Sequence, residues 1–207
     1  MKIDPKRQEA ELYRAPRDHA VTVDVPDEPF LSIDGHGSPY DPGFQGAIRA
    51  LYSVAFTIKA LLKKKTQEDH VVMPLEALWW WGEDGKFDVK KEKEWRWRLM
   101  IRQPLTATSD LVAQAIQTAK KKHPELAVQL VELRNYHEGA SMQILHVGPY
   151  KEEATTLHRL HEEIEKAGFE SWGPHHEIYL GDPRRAKPEK LRTLLREPVR
   201  PLVGLRD

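Results

Sequence analysis

The 207-residue sequence contains no cysteine, which removes disulfides, zinc–thiolate sites and thiol nucleophiles at once. It has no excess of either charge: 32 Lys and Arg balance 32 Asp and Glu. Phosphate neutralisation dominates nucleic-acid affinity, so a binder usually carries a basic surplus, and nucleic acid is not an expected partner. The same balance argues against an anionic membrane surface. No stretch approaches the roughly 18 apolar residues of a spanning helix. The opening Met1-Lys2-Ile3-Asp4-Pro5-Lys6 has no apolar signal core. A soluble cytoplasmic protein is the expectation. P-loop, Rossmann and G-x-S-x-G patterns are all missing, so neither a nucleotide cofactor nor a serine triad is expected, and no cofactor is implied. His158 and His161 match no strong zinc spacing such as H-E-x-x-H, and His175-His176 read as loop neighbours that point different ways. No metal is expected. His146, inside a strand, reads as a satisfied core residue.

What the sequence does have is a module written twice. Ile33-Asp34-Gly35-His36-Gly37-Ser38-Pro39-Tyr40 in one copy answers Ile144-Leu145-His146-Val147-Gly148-Pro149-Tyr150 in the other, and the copies close on Arg102-Gln103-Pro104 and Arg196-Glu197-Pro198. Each reads strand, strand, helix, strand, strand. The first has strands at 20–25 and 30–34, a helix from Pro42 to about Lys65 with an apolar stripe of Phe44, Ile48, Leu51, Ala55, Ile58 and Leu62, and strands at 71–81 and 94–103 around the polar turn at 82–85. The second has strands at 127–133 and 142–147, a helix ended by Gly168, and strands at 177–180 and 191–198. Lys63-Lys64-Lys65 and Lys120-Lys121-Lys122 fit helix C-termini, where they complement the dipole. The reading is an α+β fold of two pseudo-symmetric modules, mostly antiparallel, with a ligand cleft between the halves. Residues 1–18 are too polar to pack tightly and read as a flexible arm. The single domain is 19–207, with modules at 19–105 and 126–207 and a connector helix within 106–125.

Five of the six tryptophans fall between residues 79 and 97. By strand alternation Glu76, Leu78 and Trp80 share one face, Ala77, Trp79 and Trp81 the other, while Trp95 and Trp97 lie opposite Arg96 and Arg98. Tryptophan on both faces suits either an aromatic-rich core or a cleft wall on which flat ligands stack. In the second copy, Trp172 precedes a strand on which Glu177 and Tyr179 share a face, and by the repeat Glu177 takes the place of Glu76. A desolvated carboxylate among rings would favour a lipophilic cation; an exposed strand glutamate is the plainer alternative.

Phe30-Leu31-Ser32-Ile33-Asp34-Gly35-His36-Gly37, Pro74-Leu75-Glu76-Ala77-Leu78-Trp79-Trp80, Gln143 to Tyr150 and Glu177 to Arg185 resemble the GyrI-like small-molecule-binding family over nearly the whole chain after residue 20. The resemblance implies tandem SHS2-type modules around a cleft, as in the effector domains of multidrug-responsive regulators, which bind hydrophobic, often cationic compounds with aromatic walls and a buried glutamate. Glu177, with Tyr179 two residues on, matches that glutamate. A stand-alone protein, without the DNA-binding domain of those regulators, is the expectation. The expectation is a binding protein that sequesters hydrophobic aromatic compounds, cationic ones favoured, on Glu177, Tyr179, Trp80, Trp97, Glu76 and Trp172. Some stand-alone members resembled are hydrolases that open strained cyclopropane rings, in which Glu177 and Tyr179 would be catalytic. A third implication, from the family name, is inhibition of a topoisomerase by protein contact.

Overall fold

The computed structural model describes residues 2–82 and 94–202; apart from Gly82, the turn expected at 82–85 lies outside them. In chain order the elements are β1 (Lys2–Ile3), α1 (Pro5–Gln8), β2 (Val21–His36), α2 (Pro42–Thr66), β3 (Asp69–His70), β4 (Glu76–Trp80), β5 (Arg96–Arg102), α3 (Ser109–Lys122), β6 (Glu132–Val147), α4 (Glu153–Lys166), β7 (Phe169–Ser171), β8 (His175–Tyr179) and β9 (Arg192–Pro201). The fold is α+β, with a seven-stranded sheet in the order β6-β2-β5-β4-β8-β9-β7, antiparallel at every pairing.

Where two short strands were expected at the start of each copy, there is one strand of 16 residues. Residues 21–32 of β2 pair with residues 132–143 of β6; the trailing ends serve their own modules, 30–36 of β2 with β5 and 141–147 of β6 with β9. Pro26 and Pro29 do not break β2 because residues 21–29 pair with β6 alone, and proline is tolerated where a strand has one neighbour. The sheet ladder therefore closes on itself, with β6 bonded to both β2 and β9. The modules meet at β4 and β8, in the register Ala77↔Glu177 and Trp79↔His175.

Cross-strand partners share a face. One face carries Ala77, Trp79, Trp97, Glu177 and Leu195, and the helices lie on it. Phe44 of α2 stacks on Trp79 at 5.4 Å and meets Trp97 edge-on at 5.2 Å. Leu157, Leu160 and Ile164 of α4 pack on Met142, Ile144 and Leu195. Both lysine triplets sit in the last turns of α2 and α3. Thr108 caps α3 through the Leu111 amide at 3.3 Å.

The other face holds a buried ionic cluster. Glu138, from the middle of the β2–β6 ribbon, accepts from His176 at 3.0 Å and from Arg196 at 3.1 Å. His176 also reaches Glu76 at 3.1 Å, and Arg196 bonds Gln143 at 2.9 Å. The segment expected to be a flexible arm packs here instead. Leu12 and Tyr13 are buried. Arg196 donates to the Leu12 carbonyl, and Gln143 to the carbonyls of Glu11 and Arg14. Arg102 binds Glu9, Glu28 and Tyr13. Polarity misled the reading: those groups are partners for a buried ionic cluster, which needs satisfied hydrogen bonds more than it needs apolar cover.

Gly35 makes the room that Trp97 occupies. A Cβ there would stand 2.2 Å from the indole ring, inside any tolerable contact. Gly35→Ala is expected to cost about 1–3 kcal/mol, as overpacking does, seen as a lower midpoint in chemical denaturation. An unchanged midpoint would mean that Trp97 is not held as described.

Candidate functional site

The strand β8 reads His175-His176-Glu177-Ile178-Tyr179. Alternation sends His176 back into the ionic cluster and sends His175, Glu177 and Tyr179 forward, between α2 and α4. The Tyr179 hydroxyl donates to Glu177 at 2.6 Å. His175 pairs with the other Glu177 oxygen through Nε2 at 3.5 Å and with Glu197 through Nδ1 at 2.7 Å. Glu197 also meets His161 of α4 at 3.3 Å. The Glu177 side chain keeps 14% of its surface exposed, whereas His175 keeps 1% and Glu197 3%. Glu177 is thus reachable, and its support is dry.

α4 completes the front. Tyr150, in the turn before it, meets the Tyr179 ring at 5.7 Å. Glu153, its first residue, faces Thr193, the cross-strand partner of Tyr179. Among the described residues, three buried polar atoms in this region have no hydrogen-bond partner: Glu153 Oε1, Thr193 Oγ1 and the indole nitrogen of Trp79. Buried polar atoms are normally satisfied, so orphans gathered beside one carboxylate suggest places for an incoming group.

The charges are arranged by environment. Burial alone would disfavour a His175 cation, but Glu197 and then Glu177 outweigh it and push its pKa up to about 10. Burial, and then the charge of Glu177, pushes Glu153 up to about 8. Burial and Glu177 also raise Tyr179, which stays a hydroxyl donor. Behind the seam, His176 and Arg196 overcome burial and hold Glu138 down at about 2.

The structure brings together only two of the six residues expected at the site, Glu177 and Tyr179. Glu76 is not the counterpart of Glu177: it lies on the opposite face, 2% exposed and bound to His176, while Ala77 stands across from Glu177. The repeat was aligned one residue out of register, and in a strand one residue changes the face. Trp80 likewise lies on the rear face, against Phe30, Leu78, Met100 and Tyr136. Trp97 is on the front face but is buried under Phe44 as core. Trp172 is 56% exposed, with the Arg200 guanidinium 4.5 Å over its ring. The histidine pair expected in a loop is in a strand and buried. His146 is buried and bonded to Thr156 at 2.9 Å. His175, Glu197, Glu153 and Trp79 were missed as site residues. The spacing His175-x-Glu177-x-Tyr179 was a signal for the first, since period two places all three on one face; Glu153 looks like any acid in a helix's first turn.

Among the described residues, no three His, Asp or Glu side chains converge as a metal ion would require, and no helix is long and apolar enough to cross a membrane. An open groove of about 520 Å³, lined by residues including Arg17, His146, Lys151 and Arg159, contains neither Glu177 nor Tyr179.

The profile of the GyrI-like small molecule binding domain matches residues 21–200. The chain belongs to that family. An uncharacterised conserved protein from Listeria innocua is 39% identical and superposes with a TM-score of 0.87, over 96% of this chain and 100% of its own. A hydrolase from the same organism is 38% identical, TM-score 0.85, over 97% and 100%. The C-terminal domain of EcmrR shares the fold at 10% identity, TM-score 0.59, over 89% and 98%. No curated protein sequence matches the chain.

The raised and lowered groups give the stability of this GyrI-like chain a worked pH dependence. Between about 4.5 and 10, Glu153 and His175 hold protons in the native state that the unfolded chain has released. Their contribution is therefore lost as pH rises through that window. Glu138, depressed to about 2, contributes above its ordinary value of 4.5 and loses that contribution as pH falls below it. Melting temperature is expected to peak in mildly acidic solution. A peak at pH 8 or above would contradict these assignments.

Proposed function

We propose that this GyrI-like protein is a hydrolase of electrophilic, largely apolar small molecules, with Glu177 as the base that activates water. The observation that carries the reading is the prior pairing of Glu177 with His175. A glutamate meant to hold a cationic guest gains most if its charge is left uncompensated in a dry site. Here a buried imidazolium, fixed by Glu197, already stands 3.5 Å away, so a guest cation has less to gain. What this support does provide is orientation. Glu197 fixes the His175 ring, His175 and Tyr179 fix the two Glu177 oxygens, and a carboxylate so held can take a proton from a water placed against a bound electrophile.

Two further points support hydrolysis. Relatives 38% and 36% identical over almost the full chain are hydrolases by name. The unpartnered Trp79 N–H and Thr193 hydroxyl offer hydrogen bonds for an oxygen that gains charge in the reaction. In this reading Tyr179 serves first to hold Glu177, to which it donates, and its ring and that of Tyr150, 5.7 Å apart, wall the substrate's flat part. Sequestration of a lipophilic cation is the second reading, supported by those same rings around a partly exposed carboxylate.

The test uses a planar aromatic compound bearing a cyclopropane conjugated to a carbonyl, followed by mass spectrometry. Addition of one water with many turnovers per protein is expected, reduced at least about 100-fold in Glu177→Gln. Unaltered compound, together with a cationic dye that binds tightly and is lost in Glu177→Gln, would replace hydrolysis by sequestration.

A further inference from the structure

Two carboxyl groups face the front of the seam, and the structure treats them differently. Glu177 is paired with a cation and accepts from Tyr179. Glu153 has no cation of its own: its Oε1 is buried without a partner, and the groups acting on it most are Glu177, the Thr193 hydroxyl and His175. Thr193 is uncharged, and the His175 cation is engaged between Glu197 and Glu177. Tyr179 of β8 and Tyr150 of its own segment also feel its charge. A buried carboxyl with a like charge as neighbour and no cation of its own keeps its proton.

We infer that Glu153 is the proton donor of the site, a neutral carboxylic acid that protonates the oxygen on which the substrate's electron pair comes to rest. The inference rests on the hydrolytic reading above. As the water oxygen bonds to the electrophilic carbon, its proton passes to Glu177. The strained bond at that carbon breaks, and its electron pair moves onto the substrate oxygen, directly in an epoxide or through the conjugated system in a carbonyl-activated ring. Glu153 gives that oxygen its proton. One water is consumed, and the proton on Glu177 returns to Glu153 through solvent, which restores both groups. Two carboxyls set apart by their surroundings divide acid and base work between them. The assignment names a substrate class: electrophiles whose electron sink is an oxygen that must be protonated, in preference to those that expel an anion stable in water. The raised pKa of Glu153, about 8, is in keeping with a donor that works at neutral pH.

Infrared titration of the unliganded protein tests the protonation state without any substrate. A neutral carboxyl band is expected at pH 7, fading as pH passes about 8 and missing in Glu153→Gln. In Glu177→Gln the band should fade at lower pH, because the neighbouring charge is gone. With the cyclopropyl ketone as substrate, Glu153→Gln should lose about 100-fold or more in turnover and lose the alkaline fall of the wild-type pH profile, with its melting temperature retained. A band absent at pH 7, a band that survives in Glu153→Gln, or an alkaline limb unchanged in that variant would overturn the assignment. A correct band in a protein that turns nothing over would instead sink the hydrolytic reading and leave the charge assignment standing.

Discussion

Three charged side chains buried behind the seam, Glu138, His176 and Arg196, fix where everything in front of it stands. His176 is the residue of β8 that turns backward, and Glu138 and Glu76 grip its two ring nitrogens. Arg196, its cross-strand partner, grips Glu138, Gln143 and the Leu12 carbonyl. Such a cluster stabilises little in net terms, since each ion must first be desolvated; its value lies in how costly any other arrangement would be. A one-residue slip of β8 would bury Glu177 against Glu138 and Glu76 in the place of the His176 cation that binds them both. The rear cluster is thus a register lock, and the register decides which β8 side chains reach the front.

The same lock explains why the N-terminal segment matters. Leu12, Tyr13 and the carbonyls of Glu11, Leu12 and Arg14 close the cluster from outside. Arg196 and Gln143 would otherwise face water, which would weaken the field that holds His176 and Glu138 in their charged forms. Residues that looked too polar to fold are there to finish an electrostatic core.

The fold was legible because duplication and amphipathic periodicity are long-range patterns that survive local ambiguity. The stripe from Phe44 to Leu62 and the two lysine-ended helices follow from propensity and dipole alone. Strand register was not legible. Glu76 and Glu177 look alike in sequence, each a lone carboxylate before apolar residues, and only the pairing Ala77↔Glu177 shows that they face opposite ways. Tryptophan-rich stretches misled for a related reason. Trp80 and Trp97 could each have lined a cleft, but Gly35 opens a slot for the second and Phe30 and Tyr136 cover the first. Neither contact has a signature in the tryptophan segment itself. The parts of the site that depend on one chain segment, His175-x-Glu177-x-Tyr179, were readable; Glu197 and Glu153 enter from β9 and α4, and nothing local marks them.

The pseudo-symmetry then acquires a chemical sense. At the seam the first module offers Ala77 and Trp79, the second Glu177 and His175. One half therefore supplies apolar packing, a buried alanine across from Glu177 and an indole held by Phe44, while the other supplies charge. If both halves carried a glutamate at this position, two carboxylates would meet across one strand pair, and their repulsion would force one to take up a proton. The molecule obtains its second carboxyl from α4 instead. Glu153 stands near enough to Glu177 to feel its charge, yet on a separate element. Acid and base are then set by different surroundings, His175 and Glu197 for one and buried isolation for the other, and a site that began as two equal halves can hold opposite protonation states at one pH.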